Sequence, residues 1–315
     1  MSGDLIGARA DYIRFARWMP ENSINAAYQI KLSILGIDAA AKRQHPFGNA
    51  NPMRDAAERE LATAQASLQA AATPSEQAHA HGEISAYLDG TAQHAPALLA
   101  IDKAIALAPD DISLKQSRVT TLVSLDREDD ALAAAAPLLD QMHHELASAA
   151  EPAAVYQRYI EVTSSSAWTR MLKGDWSGTV DMLDRCARGS DAISQDYLAA
   201  LYVIVRARSN GEVPADPYFE EYILHRSSVP TTQYHQMLLQ YVRGRVPLAS
   251  VYEMVAMISD PAALQNALSE TWMIAAAYER FVKHDDAIAQ TYRERIKDLE
   301  PYGATEWMMV KYGGV

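Results

Sequence analysis

The sequence predicts an all-α protein, an α-solenoid of helix–turn–helix repeats with helical caps, and three observations carry that prediction. Of 315 residues, 55 are alanine, whereas glycine and proline number 14 each. Alanine favours helix more than any other residue, and its small side chain lets helices approach closely. From residue 76 onward, breaks rich in Gly, Pro, Asn and Asp recur every 15–25 residues or so, a spacing that suits helices of three or four turns. No region strings together alternating strands bounded by turn pairs, so no sheet is expected.

The chain opens with two helical patterns, at 4–18 and 23–43; in the second, Ile24, Tyr28, Leu32 and Leu35 recur on one face, behind a cap at Asn22 or Ser23. Residues 44–52, with two prolines and a glycine, read as a linker. This sets residues 1–54 apart as a helical cap or docking segment, ahead of a repeat array over 55–315 that is irregular at 190–260. A helix over 55–72 ends at Thr73-Pro74, where Ser75 can cap the next one. Further breaks fall at Asp89-Gly90-Thr91, Pro109-Asp110-Asp111, Leu125-Asp126-Arg127, Glu151-Pro152, Lys173-Gly174-Asp175 and Gly189-Ser190. Later ones fall at Asn210-Gly211, Pro214 to Pro217, Val229-Pro230, Gly244, Asp260-Pro261, His284-Asp285 and Pro301-Tyr302-Gly303.

A fixed period appears in the middle. Counting Ala78 as the first position, Ser85 is eighth, Leu88 eleventh, Ala97 twentieth, Ile101 twenty-fourth, Ala104 twenty-seventh and Pro109 thirty-second. Small Ser85 and Ala97 stand where two antiparallel helices must approach, Leu88 and Ile101 fill the space beside them, and Pro109 stops the second helix. One period further on, Leu122 and Ala131 repeat the pattern. This resembles the tetratricopeptide repeat, a 34-residue helix–turn–helix. Weaker units follow. In one, Ala167, Gly174, Leu183 and Cys186 fit while Arg170 and Thr179 depart; in the other, Ile274, Ala275, Tyr278 and Ala287 fit while Thr291 and Glu294 depart. Residues 230–312, with Tyr234, Tyr241, Gly244 and the Glu270-Thr271-Trp272 run, are similar to the C-terminal part of bacterial tetratricopeptide lipoprotein adaptors, although the lipid-bearing cysteine of those proteins is missing. The resemblance implies stacked hairpins with a concave binding surface. The 1–72 helices and a Glu306–Val310 helix would then be polar-faced caps.

Composition excludes several function classes. A formal charge of -12 opposes general nucleic-acid binding. The charge is uneven, with +3 on residues 1–54, which either pack on the acidic remainder or dock on another acidic partner or a membrane surface. The single cysteine, Cys186, excludes an internal disulfide and a cysteine zinc module. No run of ~18 apolar residues occurs and no secretory pattern opens the chain, so no membrane span and a cytoplasmic location are expected, or a periplasmic one had a leader been removed.

Chemistry is sparse. His79-x-His81-x-Glu83 puts only His79 and Glu83 on one helical face, and His143-His144 diverge, so no metal site is expected. Phosphate loops and a nucleophile elbow are absent, and Asp110-Asp111, Asp129-Asp130 and Asp285-Asp286 sit at breaks, where carboxylates cap helices. No catalytic residue and no cofactor are predicted. The positions at which some tetratricopeptide domains clamp a peptide carboxylate carry no cation here. The expectation is therefore a protein-interaction adaptor holding a basic or polar partner segment on its concave face. His79, Asp89, Gln116 and Thr120 are its groove residues. Two alternatives stand beside it: a helical enzyme or small-ligand sensor with a pocket within 190–260, where tyrosines, His225, Arg226, His235, Arg243 and Arg245 concentrate, and a self-assembling structural subunit.

Overall fold

The computed structural model describes residues 46–48, 50–226 and 233–313. The helices expected at 4–18 and 23–43, the docking role of the N-terminal segment and the break at Val229-Pro230 lie outside the described residues. Those described form fifteen helices and no strand, and no helix among them is long and apolar enough to cross a membrane.

Local chemistry accounts for most of the helix starts. The Asn51 side chain accepts the Arg54 N–H to open α1 (Pro52–Ala70), and Thr73 with Glu76 forms a capping box for α2 (Pro74–Gly90). The expected start at Asp55 is thus three residues late, and the 54/55 boundary falls in the first turn of α1. The next helices are α3 (His94–Leu107), α4 (Ile112–Ser124), capped by Asp111, and α5 (Glu128–Leu146). Asp129 and Asp130 lie inside the first turn of α5, near its positive end, and do not cap it. Then come α6 (Pro152–Arg158), α7 (Ile160–Lys173) and α8 (Trp176–Gly189). Tyr159 (φ -103°, ψ 17°) separates α6 from α7 in a stretch that carries no sequence-level breaker. Asp191 caps α9 (Ala192–Arg208), followed by α10 (Pro217–Arg226), α11 (Tyr234–Val242) and α12 (Leu248–Val255). The chain finishes with α13 (Pro261–Phe281), α14 (Asp286–Leu299), capped by Asp285, and α15 (Thr305–Lys311).

Successive helices pack in pairs, α2 on α3, α4 on α5, α7 on α8 and α13 on α14, and α4 also touches both α2 and α7. At the first of these seams the Ser85 hydroxyl donates to the Ala97 carbonyl at 2.8 Å, both residues being buried. In α14 the buried small residue is Ala289, whereas Ala287 is exposed. The last hairpin is thus shifted by two positions from the expected register, which brings Ile296 into the core and accounts for Thr291 and Glu294 departing from the pattern.

The two ends of the described chain meet, because α1 packs on α13. Buried Gln265 on α13 donates to the Leu299 carbonyl (2.9 Å) and to the Asn51 side chain (3.1 Å), and accepts the Met53 N–H at 2.9 Å. Beside it, the Arg54 guanidinium lies 4.5 Å from the centre of the Tyr302 ring. Gly303 (φ +85°) passes so close to Gly90 that a Cβ would come within 2.9 Å of its Cα. Replacing Gln265 by leucine leaves the Met53 N–H and the Leu299 carbonyl unpaired. A loss of about 1–3 kcal/mol is expected, read as a lower urea midpoint and earlier proteolytic cleavage near residue 50.

The expected polar-faced cap at Glu306–Val310 is not what forms. In α15, Glu306, Met308, Met309 and Val310 are all buried, the helix packs on α7, α13 and α14, and the Tyr312 hydroxyl donates to the Ser124 carbonyl at 3.1 Å. Three consecutive apolar residues bury more surface inside than a cap could offer.

Candidate functional site

Where α4, α7, α8, α9, α11, α13 and α15 converge, they line a partly open cavity of about 420 Å³, within the size range of small-molecule sites. Its wall is mostly apolar, with Val123, Ile160, Trp168, Leu198 and Met308, and carries hydroxyls from Thr120 of α4, Ser164 and Ser165 of α7, Ser190, Ser194 of α9 and Thr305 of α15, beside Tyr197. Glu161 and Glu270 supply carboxylates, and His235 is the single basic side chain among the described residues of the lining.

Each polar group is held from behind. Glu161 accepts from the Thr120 hydroxyl at 3.1 Å and from Ser117 at 3.3 Å, while Ser165 and Thr120 hydroxyls bond at 2.8 Å. Burial raises the Glu161 pKa, and the two hydroxyls only partly offset it. Glu270 accepts from the Tyr234 hydroxyl (2.7 Å), from Asn266 (2.8 Å) and from His235 Nε2 (2.6 Å). The histidine ring therefore donates through Nε2, and its buried Nδ1 has no hydrogen-bond partner among the described residues. Behind this layer the Tyr197 hydroxyl donates to Glu306 at 2.5 Å. Burial, and then the Glu270 charge, push the Glu306 carboxyl up to about 7. Tyr197 and Tyr234 are driven well above the ordinary tyrosine range, first by burial and then by these same carboxylates. Cys186 also lines the cavity, where burial raises its thiol to about 11, so it is not a thiolate near neutral pH.

The four groove residues expected from the repeat register scatter. Thr120 lines the cavity. Asp89 turns to its own neighbours, meeting His94 Nδ1 at 2.7 Å and accepting from Ser124 at 2.8 Å. His79 stands exposed 3.4 Å from Glu83, apart from the cavity. Gln116 is buried, and both ends of its amide are used: Nε2 donates to the Arg158 carbonyl at 2.9 Å and Oε1 accepts the Val162 N–H at 3.0 Å. These two backbone groups are the ones orphaned where Tyr159 divides α6 from α7, so Gln116 acts as a cap supplied by another helix. Gln116→Leu should cost about 1–3 kcal/mol by leaving both unpaired, seen as a fall in Tm with no change in the far-UV spectrum of the folded state.

Sequence reasoning missed Glu161 and Glu306. Each is a lone acid amid apolar neighbours, Ile160-Glu161-Val162 and Glu306-Trp307-Met308, and that is the signal that marks them. Tyr197 and His235 belong to the stretch that departs from the repeat. Comparison with protein-family models, with curated proteins and with solved structures finds no match for this chain, and its function is therefore read from the cavity and the helices around it.

Proposed function

We propose that this chain is a non-enzymatic binding protein, a tetratricopeptide-like array of helical hairpins whose ends close on each other, acting as an adaptor that holds a segment of a partner protein. The cavity carries this reading: a ligand-sized, partly open space lined by seven helices from both halves of the described chain, apolar over most of its wall and dotted with hydroxyls. The partner's anchor side chain enters it, and the adjoining backbone rests at the rim near exposed Ser194. The repeat assignment is supported by the Ser85–Ala97 seam and by α4 contacting α2, α3 and α7, as expected when a hairpin stacks on the next. The likeness of residues 230–312 to lipoprotein adaptors is in keeping with an adaptor.

A second reading, a small-ligand sensor, is favoured by one observation: Tyr197, Leu198 and His235, all from 190–260, stand on the cavity wall. A displayed random-peptide library panned on the full chain, followed by calorimetry, separates the two. The adaptor reading expects micromolar peptides whose binding is lost in the rim-blocking variant Ser194→Trp. Stabilisation by a metabolite library with no peptide recovered replaces it by the sensor reading. Peptides that bind Ser194→Trp undiminished remove the cavity from the mechanism.

A further inference from the structure

We infer that the cavity is selective for an organic cation, a guanidinium or primary ammonium group on an alkyl chain, with Glu161 and Glu270 as its carboxylate partners. This deepens the reading above and rests on the cavity being the binding site.

The argument begins with charge balance. Buried charges are stable when paired, yet the cavity joins two carboxylates from two helices, α7 and α13, and has Glu306 behind Tyr197. Among the described residues, none of the three forms an ion pair with lysine or arginine, and the one basic neighbour is His235, 2.6 Å from Glu270. Glu161 has hydroxyl partners alone. An anion entering this space would meet like charge and find no lysine or arginine among the described residues of the lining. A neutral apolar group would suit the apolar part of the wall but leave the remaining acceptor sites of Glu161 and Glu270 unfilled.

A cation satisfies each group in turn. Its N–H donors match carboxylates that retain unused acceptor capacity, since a carboxylate can accept about four bonds, and Glu161 takes two and Glu270 three. Trp168 and Tyr197 stand in the lining, aromatic side chains against which an alkyl stem can pack. The cavity, about 420 Å³, accommodates one such side chain or a free diamine.

The same group can come from an arginine or lysine of a partner or from a free amine, and one titration series distinguishes them. The full chain is titrated by calorimetry with agmatine, with putrescine, with an acetylated alanine pentapeptide bearing one central arginine, and with its neutral citrulline counterpart. The arginine peptide or the amines are expected to bind, the citrulline peptide about tenfold or more weaker, and Glu161→Gln and Glu270→Gln each to lose about tenfold to hundredfold of cation affinity. Tighter binding of the peptide than of agmatine assigns the cation to a partner protein, and the reverse order assigns it to a free amine. Equal binding of arginine and citrulline peptides overturns the inference without any variant, as does undiminished cation binding by glutamine variants that melt cooperatively. If these cations fail while neutral library peptides bind and are lost in Ser194→Trp, charge selectivity falls and the cavity's binding role stands. If no probe and no peptide binds, both fall.

Discussion

Replacing Asp196 by alanine should destabilise the protein by about 2–3 kcal/mol, because it removes the buried acceptor of three charge-assisted hydrogen bonds and leaves a partly exposed Arg226 without it. Asp196 is fully buried in α9. Both its oxygens face Arg226 at the end of α10, with Nε donating to Oδ1 at 2.9 Å and Nη2 to Oδ2 at 2.6 Å, and the Tyr222 hydroxyl adds a third bond at 2.8 Å. The two-pronged geometry suits a guanidinium and no ammonium. Its position magnifies the effect, since α10 packs chiefly on α9 and the Arg226 carbonyl accepts from Gln236 of α11. Losing Asp196 therefore loosens both α10 and its connection onward. Chemical denaturation checks the magnitude, and Asp196→Asn, which keeps the shape and two acceptor lone pairs, should lose less than the alanine variant. Equal stability of wild type and Asp196→Ala would mean that water, and not burial, governs this pair.

The second large effect is pH-dependent and belongs to Glu306. Its carboxyl sits at about 7 in the folded chain, against 4.5 as the ordinary value, so between those limits the native state holds a proton that the unfolded chain has released. Stability from this group is therefore complete below pH 4.5, declines as pH rises, and levels off above about pH 7. The groups facing it are Glu270 on α13, whose own partners are Tyr234 and His235, and Tyr197 on α9. Glu306→Gln keeps an acceptor for the Tyr197 hydroxyl and removes the titration. The variant should match wild type near pH 4.5 and exceed it at pH 8 by an amount on the order of 3 kcal/mol. Urea melts of both proteins at the two pH values measure it, and curves that run parallel would show that Glu306 titrates normally. Glu161, raised in the same sense by burial, leaves a residual slope in both proteins.

These effects share a cause with the site. The acids that line or back the cavity are held in low-dielectric surroundings by helices far apart in the chain. For Glu161 and Glu306, raised by burial, this placement costs stability at neutral pH, a cost that a cation bound beside Glu161 would relieve. An isolated hairpin keeps its acids in water. A closed arrangement of helices cannot.

How much of this was legible beforehand follows from the range of the interactions. Alanine content and breaker spacing determined the helices, since N-caps such as Thr73, Asp111 and Asp285 act within one turn, and the period through Ser85 and Ala97 located a seam between residues only twelve apart. Such signals are written into adjacent residues. The break at Tyr159 was not, because its orphaned backbone groups are satisfied by Gln116 from another helix. Nor was the meeting of α1 with α13, where Met53 and Gln265 bond across 212 positions, or the inward turn of α15 that sets Glu306 behind the cavity wall. Periodicity says that a helix has an apolar face but not which distant face will cover it. The helices and their first pairings thus belong to the sequence alone. The closure, the cavity and the charges gathered in it were decided by the tertiary structure, where the burial of distant apolar faces against each other outweighed the cost of taking a few carboxylates out of water.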